Sequence, residues 1–205
     1  MSEPLPLVAV YADESCLGNG REGANPGGAG VLIEFRHADG RITRRDVWIS
    51  EPGTTNNRMA LRSVIETFRA LGAKGQHFRV HFTSDSRYLI DGLSSWLFSW
   101  SRAGWKRKTG PIENLELWKD ACRASVGHRF SWHWVRGHNG HPQNEYANHL
   151  ATRAAADQSH SAGAVDSEFE RWLAAYRAKG GRTTDVAPFP DSDSFKAAPA
   201  LPRVD

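Results

Sequence analysis

Two apolar runs in this chain each lead into an acidic residue, and that pattern limits the possible folds more than any other feature. Val8 to Tyr11 is a short run of strand formers leading into Asp13. Phe78, Val80 and Phe82 alternate with polar neighbours and run straight into Thr83-Ser84-Asp85. Such alternation marks half-buried strands. If the two strands are neighbours, both carboxylates emerge at one end of one sheet. Gly30 to Phe35 and Arg41 to Ile49 read as two more strands, joined through the Asp39-Gly40 turn into an antiparallel meander with the first. Arg129 to Val135 reads as another strand.

Helical periods fill the intervals. Met59, Leu61, Val64, Ile65 and Phe68 lie near one face of a helix that Asn56 or Asn57 can cap and Gly72 can end. Ser86 to Trp100, Glu113 to Val126 and Asn144 to Asp157 predict three further helices. The class is therefore α/β. After residue 158 the composition changes. Asp166 to Lys179 reads as an amphipathic helix carrying Phe169, Trp172, Leu173 and Tyr176, within a linker over 159–180. Residues 181–205, rich in Gly, Pro, Asp and Ser, are expected to be disordered. Residues 1–6 form an N-terminal extension, and 7–158 form the domain.

No apolar run approaches the roughly 18 residues that a membrane span needs. Met1 to Leu7 carries Glu3 and two prolines and does not read as a signal peptide. Cys16 and Cys122 stand far apart and outside any metal-ligand spacing, so a reduced, cytoplasmic setting is the simplest expectation. A formal net charge of +3 permits nucleic-acid binding without demanding it. Arg102, Lys106, Arg107 and Lys108 cluster beside Trp100 and Trp105. Alone, that cluster reads as a solvated loop with core tryptophans.

Carboxylates forced together repel and need a cation between them. Hard oxygen ligands suit Mg²⁺ or Mn²⁺, ions that activate water and stabilise a leaving oxygen in phosphodiester cleavage. Taken one at a time, Asp13 and Asp85 are ordinary turn residues; their company decides otherwise. Tyr11-Ala12-Asp13-Glu14-Ser15-Cys16-Leu17-Gly18-Asn19, Thr54-Thr55-Asn56-Asn57-Arg58-Met59, Thr83-Ser84-Asp85-Ser86 and Val135-Arg136-Gly137-His138-Asn139-Gly140-His141-Pro142 occur in this order. Together they closely resemble bacterial type 1 ribonuclease H over residues 7 to 158.

The resemblance implies a ribonuclease H-like fold, a five-stranded mixed sheet flanked by helices. It also implies cleavage of the RNA strand of an RNA–DNA hybrid with Mg²⁺ or Mn²⁺ held by four acids. Asp13 and Asp85 match two of these. Cys16, Asn19, Asn56 and Asn57 would contact the hybrid's minor groove, and Thr55 a DNA phosphate. Trp96, Trp100, Arg102 and Lys106 match the DNA-gripping handle. Arg87 stands where the family often has Gln and would attract phosphate. His138 matches a loop histidine that aids proton transfer or product release.

Two acidic positions are changed. Ala60 follows Asn-Asn-Arg-Met where the family has its second acid, and Asn148 stands where Asn-Glu-x-x-Asp places the fourth. Asn148 keeps an amide oxygen without the charge, while Ala60 has no ligand atom. Weak metal binding and strongly reduced hydrolysis are the expectation. Glu14, where the family usually has Gly, either supplies a ligand or obstructs the RNA strand. Glu145 belongs to the family pattern and is no obvious replacement. The alternatives are a pseudoenzyme that binds hybrids or duplexes without cutting, or an interaction protein recruiting a partner through the helix around Trp172. A monomer without membrane association is expected.

Overall fold

A computed structural model of the chain describes residues 5–18 and 25–204. Its sheet has the order β5-β4-β1-β2-β3-β6. The strands are β1 (Leu7–Cys16), β2 (Gly27–Arg36), β3 (Ile42–Glu51), β4 (Arg79–Ser84), β5 (Arg129–Trp134) and β6 (Val165–Asp166). β1, β2 and β3 form the expected antiparallel meander, closed by a turn in which Gly40 takes φ +84°. β4 lies parallel to β1, pairing Ala12 with Ser84, and β5 lies parallel to β4. The two acid-bearing strands are thus neighbours that point the same way. The fold is the expected mixed sheet with six strands in place of five. The sixth, only two residues long, comes from beyond the domain and adds to the β3 edge. A strand that short has no alternation to read.

β1 runs to Cys16, so Asp13 sits inside the strand opposite Gly30, not after its end. Seven consecutive residues, Leu7 to Asp13, are buried, and only the last three positions of the strand are partly exposed, so no alternation marks its polar end.

Two hydrophobic layers cover the sheet. One lies under α1 (Asn56–Gly72), where Leu61, Val64, Ile65 and Phe68 pack on Val8, Val10, Ala12, Val80, Phe82 and Phe130. Thr55 caps this helix, its side chain accepting from the Arg58 amide, a role expected of Asn56 or Asn57. The helical stretch after Asp85 is interrupted: α2 (Arg87–Asp91) passes through a π turn at Gly92–Trp96 into α3 (Leu97–Arg102). A side chain at Gly92 would lie 2.1 Å from the Trp118 ring, on α4 (Leu115–Ala124).

The other layer holds Ala9, Tyr11 and Leu32 against α5 (Pro142–Asp157) and α6 (Phe169–Ala178), through Tyr146, Leu150, Phe169 and Leu173. Trp172 packs here against Tyr146 and Tyr176, so α6 is an added element of the domain.

The segment after Ala178 is irregular but packed, contrary to the disorder expected from its composition. Leu201 is buried in the first layer, and Val186 and Phe189 pack on the second. Arg79 donates to the Ser192 hydroxyl, and the Ala198 amide donates to Phe130 O. A few apolar anchors and backbone hydrogen bonds suffice where composition alone argued against order. Among the described residues, no helix is long and apolar enough to cross a membrane.

α5 approaches the sheet closely because β2 carries glycines beneath it. A Cβ on Gly30 would fall 2.2 Å from Ala147 O and 2.6 Å from Ala151 N. Gly30→Ala is therefore expected to destabilise the fold by about 1–3 kcal/mol through overpacking against backbone. The urea midpoint should drop with an unchanged m-value.

Candidate active site

Asp13, Glu14 and Asp85 offer carboxylate oxygens that all lie within 4.8 Å of one another. The sheet register explains how adjacent residues on one strand both reach this point. Directly paired residues share a face. Asp13 pairs with Gly30, whose face is the one α5 covers, and Glu14 pairs with Ala29 on the opposite face, under α1. Towards the strand's end both side chains nevertheless bring a carboxylate oxygen close to Asp85.

Asp13 is only 5% exposed, and its contacts are specific. Oδ1 accepts from the Glu14 amide at 2.7 Å and Oδ2 from Asn144 Nδ2 at 3.0 Å. Burial, followed by the Asp85 charge, pushes its pKa up to about 8. Burial and the charges of Asp13 and Asp85 likewise raise Glu14 well above the ordinary carboxylate range. Asp85 is raised chiefly by burial, while a nearby His138 acts in the opposite sense. Three acids in mutual repulsion, offering hard oxygens, fit a Mg²⁺- or Mn²⁺-sized cation. Asn144 Oδ1, buried and without a hydrogen-bond partner, adds an unused acceptor beside them.

Ala60 is fully buried in the layer under α1 and offers no ligand atom. Asn148 is half-buried on α5, one turn beyond Asn144 and therefore on the same helix face. Glu145 accepts from the Gly140 amide at 3.1 Å and so holds the loop. The loop of residues 135–141 presses on Asp85: a Cβ at Gly137 would meet Asp85 Oδ2 at 2.0 Å. His138 is exposed on this loop with φ +51°.

Cys16 and the start of α1 meet near Gly27, where an added Cβ would touch Thr54, Cys16 and Met59. Asn56 and Asn57 are half-buried there, and Thr55 is exposed. Asn19 lies outside the described residues. Trp96, Trp100, Tyr88 and Trp118 form one aromatic cluster against the core, so the tryptophans are structural as well as candidate contacts. Arg102 and Lys106 are exposed beyond them.

Three residues escaped the sequence reading. Asn144 binds Asp13, and its only signal was membership of the Asn-Glu pair. Gly137 permits the loop's approach. Trp134 donates from its indole to Asp85 O at 2.9 Å, and the Arg87 guanidinium sits 3.7 Å over its ring. Nothing in a strand-end tryptophan announces that role.

The RNase H family model matches residues 6–156. The ribonuclease H of Erythrobacter litoralis (strain HTCC2594) is 39% identical over 156 residues, spanning 76% of this chain and all of that protein. The crystal structure of LC9-RNase H1, described as a type 1 RNase H with the type 2 active-site motif, is 61% identical with a TM-score of 0.93, covering 100% of this chain and 97% of that one. The foamy viral protease-reverse transcriptase, solved with an RNA/DNA hybrid, covers 77% of this chain and 21% of its own at TM-score 0.59; at 16% identity it shows the shared fold alone.

The carboxylate cluster sets a pH dependence of stability. Asp13, raised to about 8, keeps its proton when folded over a range where the unfolded chain has lost it. That contribution is full below the unfolded value of about 3.9 and disappears as pH rises through the folded value. The metal-free protein is expected to melt at lower temperature as pH rises from about 6 to about 9, and Mg²⁺ or Mn²⁺ should oppose the fall. Thermal melts with and without chelator, repeated for Asp13→Asn, check this; an equal slope in that variant would rule out Asp13 as the source.

Proposed function

This chain belongs to the ribonuclease H family, and on that premise we propose that it hydrolyses the RNA strand of RNA–DNA hybrids at a divalent-metal site formed by Asp13, Glu14 and Asp85. One observation carries the reading: Glu14 reaches the two family carboxylates, within 4.8 Å, from the sheet face on which Ala60 leaves no ligand. The acid missing from the helix is replaced by an acid from the strand. The description of the 61%-identical LC9-RNase H1 as a type 1 RNase H with the type 2 active-site motif supports an altered acid set.

Bound Mg²⁺ or Mn²⁺ supplies an activated water and stabilises the leaving oxygen. The chain's own residues do the rest. Asp13, Glu14 and Asp85 hold the charge, with Asn148 offering a neutral oxygen on α5. With three charges in place of four, these residues would hold a divalent ion less tightly than a four-acid site. Asn144 orients Asp13, and Trp134 ties down the Asp85 backbone. His138, exposed at the rim, carries a proton to or from the reacting group or eases product release. Cys16, Asn19, Asn56 and Asn57 read the minor groove, Thr55 takes a DNA phosphate, and Trp96, Trp100, Arg102 and Lys106 grip the DNA strand. Arg87, stacked on Trp134, keeps its guanidinium edge for phosphate.

Cleavage of a hybrid is expected with Mg²⁺ or Mn²⁺, and Asp13→Ala should abolish it. Glu14→Ala should lower the rate about a hundred-fold or more with metal-free hybrid affinity retained. Ala60→Glu placed in a Glu14→Gly background should restore part of the activity. Tight, salt-dependent hybrid binding without any cutting by the unmodified chain would instead identify a binding protein. Full activity in Glu14→Ala would remove Glu14 from the ligand set.

A further inference from the structure

The helix α5 covers only β1, β2 and β3 on its face of the sheet. On that face β4 and β5 present Arg79, His81, Thr83, Ser131 and His133, a polar set that alternation assigns to solvent. The segment after α6 lies over it, and this segment is beyond the residues that the family model matches.

It is attached both to the loop that carries His138 and to the start of α5. The Thr184 amide donates to Gly140 O at 2.8 Å, and the Thr184 hydroxyl donates to the same oxygen at 3.2 Å. Gln143, fully buried at the start of α5, grips the Ala187 peptide from both sides. It donates to Ala187 O at 2.9 Å and accepts from Ala187 N at 3.2 Å. The segment is itself anchored to α6, because Arg177 donates to the Thr183 hydroxyl and to Thr184 O, each at 2.9 Å. A Cβ on Gly140 would lie 3.2 Å from Arg182 O, so the two backbones are in direct contact.

The stretch pinned in this way touches both metal-site aspartates. At one end Gly137 lies against Asp85 Oδ2; at the other, Asn144 follows Gln143 and binds Asp13. Between them His138 holds φ +51°, a left-handed conformation uncommon for a residue with a side chain. From the inside, Glu145 holds Gly140 N; from the outside, Thr184 holds Gly140 O.

We propose that the C-terminal segment is a strap that positions the catalytic loop, with Thr184 and Gln143 as its positioning residues. It holds residues 137–144 in the one arrangement that sets His138 beside Asp85 and Asn144 on Asp13. The inference rests on the ribonuclease H reading for its effect on catalysis, but not for its effect on the loop.

The test uses the full chain with Thr184→Pro, which removes both donors, and Gln143→Leu, which removes both amide contacts. Ser192→Ala serves as a control that loosens the strap at Arg79, away from the loop. Amide hydrogen exchange at residues 137–141 is expected to quicken about ten-fold in the first two variants and to stay unchanged in the control. Hybrid cleavage should lose kcat by about ten-fold with KM within two-fold, because the loop serves the chemical step and not hybrid capture. Unchanged exchange in both variants overturns the proposal. So does a loss of kcat that only follows the fraction unfolded in a thermal melt. The exchange measurement needs no activity, so a chain that fails to cut hybrids refutes the function while still reading the strap.

Discussion

Like charges gathered in a buried place repel, and the end of the sheet where β1 and β4 run side by side is arranged around that repulsion. Asp13 alone carries a pKa raised to about 8, and Glu14 and Asp85 are raised with it. Such a cluster persists only where neighbouring groups hold it. The Glu14 amide and Asn144 donate to Asp13, and Trp134 holds the backbone of Asp85. Asn144 is in reach only because α5 presses on the sheet over Gly28 and Gly30. A cation would relieve the repulsion among the three acids.

The proposed exchange of an acid between α1 and β1 would follow from strand alternation. Residues 13 and 14 point to opposite faces of the sheet, and Glu14 points to the α1 face, the one that also holds Ala60. An acid at 13 serves the α5 side, and an acid at 14 serves the α1 side. Ala60, fully buried, then completes the core without a charge to satisfy. In the proposed site, the two departures that look like separate losses along the chain would be one relocation, to Glu14, and one neutralisation, at Asn148.

Residues beyond the family match are part of the same construction. β6 extends the sheet at β3, α6 closes the second hydrophobic layer over Tyr146, and the strap covers the polar half of the β4–β5 face. A Gln at 143 suits this covering because its amide both donates and accepts, as a backbone peptide demands.

From the sequence alone, alternation located β2, β3, β4 and β5, helical spacing located α1 and α5, and ordered motifs placed Asp13, Asp85, His138 and the asparagines of α1 in one site. These are local signals, carried by residues within a few positions of one another. Ala60 and Asn148 were also legible as departures, because a motif displays its own gaps. The tertiary structure decided whatever depended on distance across the chain. Whether Glu14 obstructs or joins the acids is set by the register of β1 against β2 and β4. The part played by Asn144 is set by how deeply α5 sinks onto two glycines. Whether the tail is loose or packed on the domain is set by a few anchors such as Leu201 and Ser192, too sparse to alter its composition. Composition and periodicity average over neighbours in sequence, whereas each of these outcomes turns on single contacts between residues far apart in the chain.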